Sequence, residues 1–174
     1  MTNFKPKVIF TDIDGVWTDG GMYLGNGNIE LKKFNTLDSL GVLILKYFNI
    51  KCVIITGENT EMVQNRARKL QINDCFQGVK DKLKVAQEFC AQHGIELSDC
   101  AFIGDNLIDY NLLKSVGHSG APTGSIPIIV NMVDYITKRK SGDGAFYEYV
   151  YHLLINEENE SLVLSELIQT YYSS

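Results

Sequence analysis

Three short runs, Val8-Ile9-Phe10, Cys52-Val53-Ile54-Ile55 and Ala101-Phe102-Ile103, are apolar at every residue rather than at every second one. A strand with one wet face alternates, whereas a strand covered on both faces reads as a continuous apolar run. Between these runs, apolar residues recur at helical spacing, as in Leu37, Leu40, Leu43, Ile44 and Tyr47 or Phe48. Strands of that kind alternating with helices imply an α/β fold, a central parallel sheet with helices on both sides.

The rest of the chain extends the pattern. Residues 59–72 read as a helix capped by Asn59 or Thr60, 74–78 as a brief strand, 80–95 as a helix stopped by Gly94, and 107–116 as a helix ending at Gly117. Residues 118–124, 127–133 and 135–137 complete the alternation. A last helical region covers about 144–174, its tail expected to pack on the sheet or on another subunit. One insertion interrupts the order: Met22–Leu24 and Ile29–Phe34 flank Gly25-Asn26-Gly27-Asn28, which reads as a β-hairpin over about 21–34. With no repeat, low-complexity stretch or linker, residues 1–174 are expected to form a single domain.

With 21 acidic against 16 basic residues the net charge is −5. That disfavours nucleic acid or an anionic membrane as a partner, since either needs a basic face. No apolar stretch approaches the roughly 18 residues of a membrane span. The opening "MTNFKPK" lacks the pattern of a cleaved signal, so a cytoplasmic protein is expected. Cys52, Cys75, Cys90 and Cys100 include no C-x-x-C pair and read as reduced core residues. His93, His118 and His152 lack metal-ligand spacing.

In a parallel α/β sheet, ligands sit outside the carboxyl ends of the strands. The residues standing there are Asp12 and Asp14, then Thr56 and Gly57, then the segment up to Lys82, then Gly104 and Asp105. Asp12 and Asp105, from separate strands, make a hard oxygen site suited to Mg²⁺, which keeps several waters and uses one or two carboxylates plus phosphate. A threonine hydroxyl, the backbone amides after Gly57 and one ammonium group suit a phosphoryl group bridged to that metal. A calcium loop does not fit, because its sixth and twelfth positions counted from Asp12 are Trp17 and Tyr23. Singly, a Thr-Gly after a strand is usually a turn and a lysine opening a helix a solvated surface group. The ordered set of four carries the inference.

That set resembles the haloacid dehalogenase superfamily of phosphohydrolases over nearly the whole chain. "DIDGVWTDG" looks like its first motif, "ITG" its second, Lys82 its third and "GDNLID" its fourth. The resemblance implies a three-layer Rossmann-like fold with a hairpin insertion and no cap domain. The intervals between motifs hold only a hairpin with one helix, then one helix with one strand. It also implies Asp12 as nucleophile, Asp14 as general acid and base, and Thr56, Gly57 and Lys82 as the phosphate-binding group. Mg²⁺ would be held by Asp12, Asp105 and the backbone carbonyl of Asp14, with Asp109 supporting that shell. One position departs from the commonest pattern: Asn106 stands where many relatives have a second aspartate.

The layout is similar to the capless subgroup of 3-deoxy-D-manno-octulosonate 8-phosphate phosphatases and their nine-carbon relatives. Members are typically homotetramers in which the hairpin builds a central barrel and a neighbouring subunit covers each site. After Thr56 this chain reads "TGENTEMVQNRARKL", where octulosonate phosphatases commonly continue Gly-Arg-Lys. Glu58, Arg66 and Lys69, together with Trp17, look like the branch acting on 2-keto-3-deoxynononate 9-phosphate or N-acetylneuraminate 9-phosphate. The favoured substrate is therefore a nine-carbon sugar-acid phosphate, and the eight-carbon acid is the alternative. Arg66 and Lys69, at i and i+3 on one helix, are spaced to share the substrate carboxylate, and Glu58 to accept bonds from sugar hydroxyls. The competing reading makes all three ordinary solvated charges. Tyr147 stands where relatives often have arginine.

Two other classes fit the motif order less well. A receiver domain carries its acceptor aspartate on the third strand, whereas here the D-x-D ends the first. A noncatalytic tetramerisation module of sialic acid activation usually loses a motif, and all four are present.

Overall fold

The computed structural model describes residues 4–27 and 29–173. Asn28 of the expected hairpin turn, and the ends of the expected domain at Met1–Asn3 and Ser174, lie outside the described residues. Six parallel strands form the central sheet in the order β5-β4-β1-β6-β7-β8. They are β1 (Val8–Thr11), β4 (Lys51–Ile55), β5 (Asp74–Phe76), β6 (Cys100–Ile103), β7 (His118–Thr123) and β8 (Tyr135–Lys140). β2 (Tyr23–Gly25) and β3 (Ile29–Leu31) pair antiparallel as the separate hairpin, tied at its base by a bridge between Thr18 and Phe34.

The continuous apolar runs have a direct cause. Val8, Phe10, Val53, Ile55, Cys100 and Phe102 face one layer, built on α3 (Lys82–His93), α4 (Tyr110–Ser115) and α5 (Pro127–Val130). Ile9, Ile54, Ala101 and Ile103 face the other, built on α1 (Leu37–Tyr47), α2 (Glu61–Lys69) and α6 (Ala145–Leu154). Alternate residues thus point into two separate cores, and both need to be apolar.

Helix ends agree with local chemistry. Thr60 caps α2 through its side chain, and Asp81 caps α3 by accepting from the Lys84 amide. The region after Gly144 divides into two helices, α6 and α7 (Glu160–Ser173). α6 already covers the sheet, so α7 lies outside it against α1, with Val163 buried in the same core. The stretch read as one helix over 107–116 begins as a 3₁₀ turn, Leu107–Asp109.

Strand order reverses at β1, which has β4 on one side and β6 on the other. The crevice beyond that switch point is the natural ligand position in an open α/β sheet. Asp12 is the first residue past the end of β1.

Candidate active site

Asp12 is held by its neighbours before any ligand is considered. Its amide donates to the Ile103 carbonyl at 3.0 Å, and its Oδ1 accepts from the Ile13 amide at 2.7 Å. Thr11 Oγ1 donates to the Asp12 carbonyl and accepts from Trp17 Nε1 at 2.9 Å, while the Trp17 ring packs on Phe146 in the core. The loop after β1 is therefore anchored by a buried indole.

Lys82, the first residue of α3, is fully buried and reaches two acids. Its Nζ lies 2.7 Å from Asp12 Oδ2 and 2.5 Å from Asp109 Oδ1. The other oxygen of Asp109 accepts from the amides of Asp105 and Asn106, at 2.9 and 3.0 Å. Asp109 thus orients both the lysine and the loop that presents Asp105. Asn106 is exposed, and its Oδ1 accepts from the Leu107 amide at 2.7 Å, capping the 3₁₀ turn.

Two glycines make this packing possible. Gly15 has φ +83°, and a Cβ there would stand 2.1 Å from Asp105 Oδ2. A Cβ on Gly104 would stand 2.6 Å from Asp109 Cγ. The glycine of D-x-D-G and that of G-D are the spaces into which Asp105 and Asp109 fit.

Among the described residues, Asp12, Asp105 and Asp109 form the single group of three metal-ligating side chains, with one oxygen from each within 4.8 Å of the others. Three carboxylates against the Lys82 ammonium leave two negative charges in a mostly buried volume, which calls for a divalent cation. Burial pushes Asp12 up to about 7, although Lys82 pulls it down, and burial beside Asp109 pushes Asp105 up to about 7. Burial opposes the charge on Lys82, but Asp12 and Asp109 outweigh it and hold the ammonium above its ordinary range.

Three of the buried side-chain atoms without a hydrogen bond stand on this rim: Asp14 Oδ2, Thr56 Oγ1 and Asp105 Oδ1. Buried polar atoms rarely go unpaired, and these belong to residues at the ends of three neighbouring strands. An all-oxygen donor set with an unpaired carboxylate oxygen fits Mg²⁺.

Of the other sequence-derived residues, Gly57 lies exposed after β4, where a Cβ would meet Ile108 Cδ1 and the Val79 carbonyl only at ordinary contact distance. Glu58 is half-exposed, its Oε2 2.6 Å from Lys32 Nζ. Arg66 is half-buried on α2. Its Nη2 donates to the Asn35 carbonyl at 3.1 Å and to Ser39 Oγ at 2.8 Å, and its guanidinium lies over the Phe34 ring. Lys69 is exposed in the last turn of α2. Tyr147 donates its amide to the buried carboxylate of Asp38 at 3.1 Å. Sequence reading missed Lys32, whose Nζ also lies 2.7 Å from Asp14 Oδ1. Only the fold-back of the hairpin brings it there, and no local periodicity encodes that.

A sequence profile described as haloacid dehalogenase-like hydrolase matches residues 72–148. The 3-deoxy-D-manno-octulosonate 8-phosphate phosphatase of Yersinia pestis is 35% identical over 152 residues, covering 87% of this chain and 81% of the relative. The chain belongs to the haloacid dehalogenase-like hydrolases. A crystal structure of the Yersinia pestis phosphatase aligns with this hydrolase at a TM-score of 0.83 and 34% identity, covering 93% of this chain and 84% of the other. The corresponding enzyme of Moraxella catarrhalis, solved with a magnesium ion, a phosphate ion and a KDO molecule, aligns at a TM-score of 0.88 and 33% identity, covering 92% of each chain. Like these relatives, the hydrolase is a phosphatase, a phosphoric monoester hydrolase. No helix among its described residues is long and apolar enough to cross a membrane.

Proposed function

We propose that this phosphatase hydrolyses a sugar-acid phosphate with Mg²⁺, through an aspartyl-phosphate intermediate. The carrying observation is the convergence of Asp12, Lys82, Asp105 and Asp109 on one rim with three unpaired buried oxygens. Mg²⁺, held by Asp12, Asp105 and the backbone carbonyl of Asp14 and backed by Asp109, would supply charge opposite the phosphoryl oxygens and keep Asp12 ionised at neutral pH.

An Asp12 oxygen attacks phosphorus in line; the new P–O bond forms as the bond to the sugar oxygen breaks. Asp14 gives its proton to the leaving alkoxide, then accepts one from the water that hydrolyses the aspartyl phosphate. Thr56 Oγ1 and the amide after Gly57 donate to the phosphoryl oxygens, and Lys82 offsets their charge.

The favoured substrate is a nine-carbon keto acid 9-phosphate, ketodeoxynononate or N-acetylneuraminate 9-phosphate. Supporting it is Glu58, an exposed acid beside Lys32, where octulosonate phosphatases commonly have arginine. The eight-carbon reading, 3-deoxy-D-manno-octulosonate 8-phosphate, has the names of the relatives in its favour.

The reading includes a homotetramer joined through the hairpin. Met22 and Leu24 are 72% and 70% exposed, and Tyr23, Ile29 and Leu31 are exposed beside them. A lone two-stranded hairpin with so much apolar surface needs a partner. A cytoplasmic setting suits the four free thiols.

The test is phosphate release, with Mg²⁺ and with EDTA, from the two nine-carbon acids and the eight-carbon acid, with Asp12→Asn as the blank. A catalytic efficiency at least about tenfold higher on a nine-carbon acid, about 1.4 kcal/mol of transition-state discrimination, supports the favoured substrate. Preference for the eight-carbon acid overturns it and keeps the mechanism. An Asp12→Asn variant as active as wild type overturns the mechanism.

A further inference from the structure

Lys32 follows β3 at the base of the hairpin, and its side chain is only 7% exposed. An ammonium removed so far from water requires partners, and it has two: Asp14 Oδ1 at 2.7 Å and Glu58 Oε2 at 2.6 Å. Asp14 Oδ1 also accepts from Thr18 Oγ1 at 3.0 Å. Both donors converge on the same oxygen. The other, Oδ2, is buried and has no hydrogen bond.

We propose that Lys32 and Thr18 are positioning residues that fix the rotation of the Asp14 carboxyl and thereby select Oδ2 as the atom that carries the proton. This rests on the phosphatase reading above, in which Asp14 is the general acid. In the first step the Oδ2–H bond breaks and an O–H bond forms on the leaving oxygen, which takes the electron pair of the breaking P–O bond. Oδ1, occupied by two donors, takes no part. Glu58 holds the same ammonium at 2.6 Å and so fixes where Lys32 can stand. Glu58 therefore serves the proton donor through Lys32 besides any contact with the sugar.

The test compares leaving groups. β-Glycerophosphate leaves as an alkoxide that requires a proton, whereas 4-nitrophenyl phosphate leaves as a stable phenolate that does not. With Mg²⁺ present, Lys32→Met is expected to lower kcat/KM on β-glycerophosphate by about 10²-fold, a typical general-acid contribution, and on 4-nitrophenyl phosphate by less than about threefold. Lys32→Arg is expected to restore most of the loss. Thr18→Val, which removes the second donor and keeps side-chain volume, is expected to give the same selective loss and covers the case in which Lys32→Met fails to fold. Equal losses on both substrates in the soluble variants overturn the proposal and leave the phosphatase reading intact. A wild-type protein that releases phosphate from neither of these esters nor from any of the three sugar-acid phosphates overturns both.

Discussion

At the residue scale, the most exacting feature outside the acidic rim is Asp38. It is fully buried in the first turn of α1; Oδ1 accepts from the Tyr147 amide, and Oδ2 has no hydrogen bond. Burial pushes its carboxyl up to about 7, against the pull of Tyr147 and Arg66. A carboxyl raised on folding binds more protons in the native state, so its contribution to stability is present at low pH and is lost as pH rises toward 7. Asp38→Asn removes that penalty and keeps the acceptor. In urea unfolding, the variant is expected to gain on wild type by on the order of 2 kcal/mol between pH 5.5 and pH 8. A difference that does not change with pH would mean that Asp38 is ionised throughout. Asp12, Asp14, Lys82 and Asp105 were legible in the sequence because each terminates or opens an element in a chain whose strand ends can be counted. Lys32 and the bonds of Arg66 to Asn35 and Ser39 were not. Both depend on how the hairpin and α1 fold back over the sheet, which no window of neighbouring residues encodes.

At the scale of elements, β1 and the turn after it form one device. The strand is legible from its apolar residues, but the need for glycine at 15 becomes physical only when β6 brings Asp105 against it. Gly15→Ala places a methyl in the space of that carboxylate at a left-handed φ, costing about 1–3 kcal/mol in backbone strain alone. Mg²⁺ is expected to raise the melting temperature of wild type by preferential binding to the folded state, and to leave that of Gly15→Ala unchanged. An undiminished thermal shift in the variant would separate metal binding from this packing. The C-terminal region was legible as helical but not as two layers. α7 packs on α1 because α6 has already taken the sheet.

At the scale of the whole molecule, the sheet and its two cores are self-sufficient, whereas the hairpin leaves its apolar side chains in water. Leu24→Asp combined with Leu31→Asp is expected to convert the proposed tetramer to monomer in sedimentation velocity while far-ultraviolet circular dichroism keeps its sheet and helix signals. A wild-type protein that sediments as a monomer at all accessible concentrations would defeat the tetramer. The same hairpin has two regions with separate duties, a two-stranded tip apart from the central sheet and a base that carries Lys32 to Asp14. Natural variation among descendants of this chain is thus free to lengthen or recolour the tip, changing who associates with whom. A single shift in the spacing between Phe34 and Lys32 would instead be paid for in proton transfer.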